Sequence, residues 1–591
     1  MADAGNPPRW SAPSRPGPRR AESSRRLFGV YAGFLALLGL LWLRCVWLQV
    51  IQSPELSRRA NAQHWMLRAV PAPRGTVYDR EGRILAMSVR VPSVFGNPRQ
   101  VKAKAKARLA SEMSLLLKQP QPLLARRLAR QKGFVWLARH VDPELLPRLA
   151  TLRSEGIGVV EEEQRVYPHG RFASHLLGHV DIDQQGLEGL ELELDEELQG
   201  RAGTFATLRD AKGDALIGPW TVQRDPTPGS SVVLTVDSVV QGIAEDALSF
   251  GVEKFHAKGG SLIVMDPATG AILAMATRPT FDPQAPGRAK TEARRNRAIT
   301  DLAEPGSVFK VVTASALLEE HRVRPEEQFF CENGAYPTIG HHVLHDHRPH
   351  GWLSFHDVIA LSSNIGTAKA ASRLKPEELY RYIRAFGFGR KTGIELPGEV
   401  SGIVPPPARW SRLSPFIIPI GQEVAVTPIQ LAGMMSVIAN GGSKVHPYLI
   451  ERIEAPAGRV VRAHRAAPAE RVLNPDTVTA LHSMLSSVVD TGTGQLAKIP
   501  GLTVAGKTGT AQKLEPNGRY SHSRFVASFV GYGPVPDPSV PASAGAKFVV
   551  VVTIDEPHPL YFGGVVAAPV FRRVVESLAS YWGLTVLAKV P

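Results

Sequence analysis

The chain has 591 residues, with 69 Lys and Arg against 54 Asp and Glu, a net charge of +15, and two cysteines. At roughly 150 residues per domain the length holds more than one domain, and a composition 43% hydrophobic and 21% charged excludes wholesale disorder. Cys45 and Cys331 cannot build a disulfide framework, and no Cys-x-x-Cys pair offers a zinc site.

The excess charge is local. Residues 1–26 carry six arginines against Asp3 and Glu22, a net +4, and residues 99–132 carry ten Lys and Arg against Glu112 alone, a net +9. Basicity confined to two patches excludes the general nucleic-acid binder that +15 first suggests.

The first patch abuts an apolar run from Leu27 to Leu43, continued past Arg44 to Ile51. With Arg44 snorkelling, about 22 residues can span ~30 Å of hydrocarbon, and Trp42 and Trp47 suit the interfaces. Ala60-Asn-Ala62 lies too far on for signal cleavage, Arg44 spoils a lipoprotein site at Cys45, and so apolar a run fits a twin-arginine signal at Ser24–Phe28 poorly. The expectation is a basic cytoplasmic tail at 1–26, an uncleaved single-pass anchor at 27–48, and the rest outside the cytoplasm.

In 49–225 the chain mixes short strands and helices. Gly75 and Gly82 punctuate Arg74-Gly-Thr-Val-Tyr-Asp-Arg80-Glu-Gly-Arg83. The stretch 102–132 reads as helical, with Leu109, Met113, Leu116 and Leu117 on one face. Its charges read as a solvated face, or as a contact for an acidic partner or lipid headgroups.

Asp225-Pro-Thr-Pro-Gly229 marks a boundary, opening a second domain over 226–591. There follow a strand at 231–236, a helix through Ala244 and Leu248, and apolar runs at 261–265 and 271–275 joined as a hairpin by Asp266-Pro-Ala-Thr-Gly270. A further strand reads at 547–554 and a helix at 566–580. Antiparallel strands with segregated helices predict an α+β class.

Chemistry concentrates at Glu304-Pro-Gly-Ser307-Val-Phe-Lys310, a loop entering an apolar helix. Ser307 and Lys310 share one face of its first turn. A serine hydroxyl needs a base, and a lysine serves if burial or neighbouring cations leave it neutral. Ser362-Ser-Asn364 offers a hydroxyl and an amide in a tight turn. Lys507-Thr508-Gly509-Thr510 offers a cation, hydroxyls and a glycine that lets substrate backbone approach, which suits carboxylate binding at a strand edge. Ser372-Arg-Leu-Lys375 precedes Pro376 and Lys391-Thr-Gly393 lies among turns, so both are set aside. Six histidines between His341 and His356, with Asp346, invite a zinc reading at His345 and His347. The segment reads as a loop without helical spacing to fix ligands, and no metal or cofactor is assigned.

Ordered S-x-x-K, S-x-N and K-T-G motifs are the set of β-lactamases and penicillin-binding proteins. The chain resembles a class B penicillin-binding protein, most like the division-specific peptidoglycan D,D-transpeptidase of FtsI type. The resemblance includes Arg74–Arg80, Arg165-Val-Tyr-Pro-His-Gly170, Gly186-Leu-Glu-Gly-Leu-Glu191, Asn296-Arg297-Ala298, Ala527–Gly531 and Tyr561-Phe-Gly-Gly564. It departs at Val308, where the family usually has Thr or Ser, and that side chain is expected to point away from the cleft.

The resemblance implies a membrane anchor, a non-catalytic pedestal and a transpeptidase domain. In it Ser307 is the nucleophile, Lys310 takes its proton and Ser362 relays that proton to the leaving amine. Asn364 holds the donor amide, Lys507, Thr508, Gly509 and Thr510 hold the terminal carboxylate, and the N–H groups of Ser307 and Thr510 form an oxyanion hole. The implied partners are D-Ala-D-Ala stem peptides, β-lactam antibiotics, an FtsW-type SEDS glycosyltransferase and other division proteins of the membrane. A septal role is expected over a lateral-wall one. A β-lactam hydrolase or sensor is disfavoured by the large pedestal and by the lack of a protease motif. A decayed scaffold is disfavoured by the intact motifs.

Overall fold

The computed structural model describes residues 18–152, 155–208, 221–339, 342–468, 470–515, 517–536 and 545–584. His341 lies outside them. Two compact units emerge: residues 1–70 with 203–225, and residues 71–202 with 226–591.

In the first unit the apolar run forms one helix, Pro18–Val46, carried on by a wider π turn at Trp47–Ile51. Its stretch Arg25–Ile51 is long and apolar enough to cross a membrane, and Leu27, Phe34, Leu41 and Trp42 are all exposed. Such a stretch, apolar on every side and covered by nothing among the described residues, suits a lipid environment. A short helix, Ser53–His64, leads to an antiparallel sheet of Trp65–Val70, Gly203–Leu208 and Thr221–Arg224.

The second unit holds two main sheets. One is seven-stranded and is built on the long strand Ile84–Gly96, which pairs antiparallel with Ile157–Val166 over its last ten residues. Ser231–Leu234 belongs to this sheet, lying parallel to Val77–Tyr78 and antiparallel to Ile450–Glu454. The stretch expected to be helical from 102 to 132 is broken in two, Lys106–Leu117 and Gln121–Ala129. Lys118 turns left-handed (φ 51°) to cap the first helix, and Pro120 holds extended backbone before the second. The expected face holds: Leu109, Met113, Leu116 and Leu117 are buried with Leu124, Leu128 and Leu137 in a separate small core.

Three of the segments quoted for the resemblance meet in this unit. Glu191 accepts 2.6 Å bonds from Arg74 Nε and Arg165 Nε, Arg74 also donates to Asp195, and Arg165 Nη1 donates to the Gly75 carbonyl. Arg74, Arg165 and Glu191 are buried. Gly75 permits this because a Cβ there would fall 1.9 Å from the Ser230 carbonyl oxygen.

The other main sheet is five-stranded and antiparallel, in the order Ile272–Arg278, Gly259–Met265, Phe548–Asp555, Tyr520–Gly533, Ala505–Leu514. The expected hairpin forms its first two strands. Side chains alternate between two cores. Leu262, Val264, Val550 and Val552 pack with the helices Ser238–Lys254 and Gly563–Tyr581, whereas Ile263, Met265, Val549 and Val551 face a helical layer. That layer contains Lys310–Glu319, Asn364–Ala371, Pro475–Asp490 and Pro428–Ala439, the last apolar on every side and almost wholly buried. Ala505–Leu514 closes the sheet, so its outer edge is available to an extended ligand.

Candidate active site

The S-x-x-K motif begins as a 3₁₀ turn, Gly306–Phe309, which passes into the helix Lys310–Glu319. Gly306 takes φ +50° and sits where a Cβ would be 3.0 Å from the Thr510 carbonyl oxygen. Gly421, at φ +85°, lets a second loop come closer still, since a Cβ there would fall 2.2 Å from the Gly306 carbonyl oxygen, so the turn is clamped from two sides. Val308 is fully buried in the helical core, while Ser307 is half-buried.

The second motif lies between helices Phe355–Ala360 and Asn364–Ala371. Ser362 takes left-handed backbone at φ +63°, which is costly for a residue with a Cβ and needs surrounding contacts to hold it. Lys310 Nζ supplies some of them: it lies 2.6 Å from the Ser362 carbonyl oxygen, 3.2 Å from Ser362 Oγ and 2.7 Å from Asn364 Oδ1. Asp346 supplies others, accepting from Ser363 Oγ at 2.6 Å and from the backbone N–H groups of Asn364 and Ile365 at 2.5 and 3.0 Å. Asn364 Nδ2 donates to the His345 carbonyl at 2.8 Å.

The segment 341–356, expected to be a loop, instead carries strands Val343–His345 and Trp352–Ser354 and the start of a helix. Asp346 faces the S-x-N turn, and His347 lies against Phe562, the rings tilted by 45° with centroids 4.4 Å apart. Among the described residues no group of three or more His, Cys, Asp or Glu comes together as a metal site.

Lys507, Thr508, Gly509 and Thr510 sit mid-strand on the sheet edge, with Thr510 opposite Ala527 and Gly509 opposite Ser528. A Cβ on Gly509 would strike Ser528 Oγ at 2.3 Å and Val308 Cγ2 at 2.8 Å, so this glycine lets the turn that carries Ser307 press against the strand. Thr508 Oγ1 bonds Thr493 Oγ1 at 2.7 Å, and the N–H of Gly563 donates to Thr510 Oγ1 at 3.0 Å. Lys391-Thr392-Gly393 is elsewhere, a turn clasped by Glu399.

Both motif lysines are fully buried. Burial pulls Lys310 down to about 7, opposed by Asp346 and Cys331. Burial also pulls Lys507 well below its ordinary range, and the charge of Lys310 adds to this. A neutral Lys310 amine has two N–H groups, which its two shortest bonds can use, and a lone pair left to accept a hydroxyl proton. An anion brought to Lys507 favours its charged form, so that corner of the cleft selects negative ligands.

Sequence reasoning identified the three motifs but not Asp346, Thr493 or Gly563. Asp346 stood among histidines that suggested a metal, and Gly563 lay in a segment quoted only for likeness.

The sequence matches the penicillin binding protein transpeptidase domain over residues 260–576 and the penicillin-binding protein dimerisation domain over residues 69–234. It is 33% identical over 564 residues to the peptidoglycan D,D-transpeptidase FtsI of Escherichia coli, covering 93% of this chain and 90% of that one. It is 34% identical over 560 residues to the stage V sporulation protein D of Bacillus subtilis, covering 93% and 85%. The crystal structure of penicillin binding protein 3 from Mycobacterium tuberculosis complexed with aztreonam is similar with a TM-score of 0.67 at 28% identity, covering 88% of this chain and 98% of that one.

Proposed function

The chain belongs to the class B penicillin-binding proteins and is a peptidoglycan D,D-transpeptidase, and on that premise we propose that it works through an acyl-enzyme on Ser307. The observation that carries this is Lys310, a fully buried amine held by Ser362 and Asn364 one helical turn after Ser307, which burial lowers to about 7 so that a large share is neutral near physiological pH.

Ser307 Oγ attacks the penultimate D-Ala carbonyl of a stem peptide, and Lys310 takes its proton. The N–H groups of Ser307 and Thr510 receive the oxyanion. The C–N bond then breaks, and D-Ala leaves with the proton delivered through Ser362. Asn364 holds the donor amide, and Lys507 with Thr508, Gly509 and Thr510 holds the terminal carboxylate. An amine from a neighbouring stem attacks the ester, its surplus proton returns by the same residues, and Ser307 is restored as the cross-link forms. A β-lactam acylates Ser307 in the same way.

We place residue 1–26 tails in the cytoplasm and the catalytic region outside, because arginines precede the apolar helix. The boundary near 225 then separates a pedestal from the transpeptidase domain. Septal wall is the proposed substrate, with an FtsW-type glycosyltransferase and other division proteins as partners; likeness to FtsI supports this. Fluorescent penicillin tests the chemistry: the protein is expected to label covalently and Ser307→Ala to lose the label, and a label that persists overturns the assignment. Depletion tests the role: filaments are expected, and round cells would instead indicate lateral-wall synthesis.

A further inference from the structure

Asp346 lies outside every motif, yet it makes three bonds into the one turn on which the buried amine depends. It follows the strand Val343–His345, whose Leu344 is anchored in the helical core. Its own N–H is tied to the Gly334 carbonyl at 3.1 Å. One carboxylate oxygen receives the backbone N–H groups of Asn364 and Ile365, and the other receives Ser363 Oγ. Ser363 Oγ in turn accepts from the Gly366 N–H at 2.9 Å. The chain therefore enters the helix Asn364–Ala371 with its first N–H groups occupied by one side chain from another segment.

This contact acts at the place of greatest backbone cost. Ser362 is left-handed, and its carbonyl and hydroxyl must both face Lys310 while Asn364 Oδ1 does the same from the next turn. Without an external acceptor, Ser363 and Asn364 are free to relax the turn, and both short bonds to Lys310 depend on its shape. Asp346 touches neither Ser307 nor any bond that breaks in the reaction.

We propose that Asp346 is a positioning residue of the transpeptidase reaction, locking the Ser362-Ser363-Asn364 turn and, through it and its own charge, setting the protonation of Lys310. This rests on the acyl-enzyme reading above and deepens it. The charged and titratable groups facing Lys310 are Lys507 from the edge strand, Asp346, and Cys331, which follows the short strand Gln328–Phe330. Asp346 is the carboxylate among them and is the group that favours protonated Lys310 most strongly. Removing its charge therefore makes Lys310 easier to deprotonate, while removing its bonds loosens the turn.

The test is the rate of acylation by a fluorescent penicillin as a function of pH, on the full-length protein in detergent, with thermal unfolding followed in parallel. Asp346→Asn keeps an acceptor for the two N–H groups and loses the charge, so the acid limb of the profile is expected to move to lower pH with little change in Tm. Asp346→Ala loses all three bonds and is expected to cut the plateau rate by about tenfold or more, the scale on which misplacement of reacting groups is felt. A Ser307-dependent reaction with the same acid limb in wild type and Asp346→Asn overturns this inference alone. So does a plateau in Asp346→Ala equal to wild type. Labelling that survives Ser307→Ala overturns the acyl-enzyme reading, and this inference with it.

Discussion

Lys310 Nζ stands 2.7 Å from Asn364 Oδ1, although 54 residues separate the two along the chain. The contact gives a buried lysine an uncharged acceptor, so its charge is not held in place by an ion pair there. Burial can then lower it to about 7. In the proposed mechanism only the neutral amine accepts a proton from Ser307, so acylation is expected to rise with pH through about 7 and level off above. Penicillin-acylation rates between pH 5 and 9 check this. Lys310→Arg, whose guanidinium stays charged, is expected to leave no measurable acylation at any of them.

The neutrality of that acceptor is testable in its own right. Asn364→Asp places a carboxylate 2.7 Å from the amine with little change of shape. An adjacent negative charge favours protonated lysine and moves a pKa by one or more units. The acid limb is therefore expected to shift to higher pH, with acylation at pH 7 down by about fivefold or more. A profile superimposable on wild type would show that Asn364 does not govern Lys310.

The carboxylate corner depends on a glycine that no motif contains. At Gly563 a Cβ would lie 2.2 Å from the Gly509 carbonyl oxygen and 2.4 Å from that of Ser528, and its N–H orients Thr510 Oγ1. Gly563→Ala is expected to displace the edge strand and cost about a hundredfold or more in acylation rate. The folded fraction, read by circular dichroism, is expected to fall far less than the rate.

The three motifs were legible because each is a set of reactive side chains at fixed local spacing, and the hairpin at 261–275 was legible from its apolar alternation and turn residues. Other features depend on distant contacts that leave no local mark. Nothing in His345-Asp346-His347 says that the carboxylate serves a turn rather than a metal. The break at Lys118 comes from a single left-handed residue before Pro120, inside a stretch whose apolar spacing continues. Ser231–Leu234 was readable as a strand, but its pairing with Val77–Tyr78 is set by packing across more than 150 positions.

Two histidines, His175 buried and His482 half-buried, predict a fall in stability on mild acidification. Burial lowers both His175 and His482 from 6.5 to about 4; His175 Nε2 lies against the Ala293 carbonyl, and His482 Nδ1 lies 2.5 Å from the buried Tyr532 hydroxyl. The unfolded chain protonates first, so the stability tied to each is whole above about 6.5 and is lost as pH falls to about 4. At about 1.4 kcal/mol per pKa unit, each accounts for up to about 3 kcal/mol. Urea titrations at pH 7.5 and 4.5 are expected to show the loss, and His482→Gln is expected to make it smaller. An unchanged pH dependence in that variant would indicate that His482 is protonated in the folded state.

Glu191 is expected to matter for folding and not for the reaction. Its carboxylate is buried and joins Arg74 to Arg165, guanidiniums from two segments that lie far apart in sequence. Removing one member of a buried ion network leaves the others charged, desolvated and unmatched, which costs about 3–5 kcal/mol, more than the intact network contributes over an apolar one. Glu191→Ala leaves Arg165 without a carboxylate and Arg74 with Asp195 alone, and Arg165 already has a buried Nη2 with no hydrogen-bond partner among the described residues. A Tm lower by several degrees is the expected result, alongside a wild-type acylation rate per folded molecule at low temperature. Arg165→Met with Glu191→Leu, which removes a matched pair, is expected to recover part of the loss, since fewer uncompensated charges are left buried. An acylation rate that falls in step with Glu191→Ala at a temperature where the protein is fully folded would tie this network to the catalytic cleft instead.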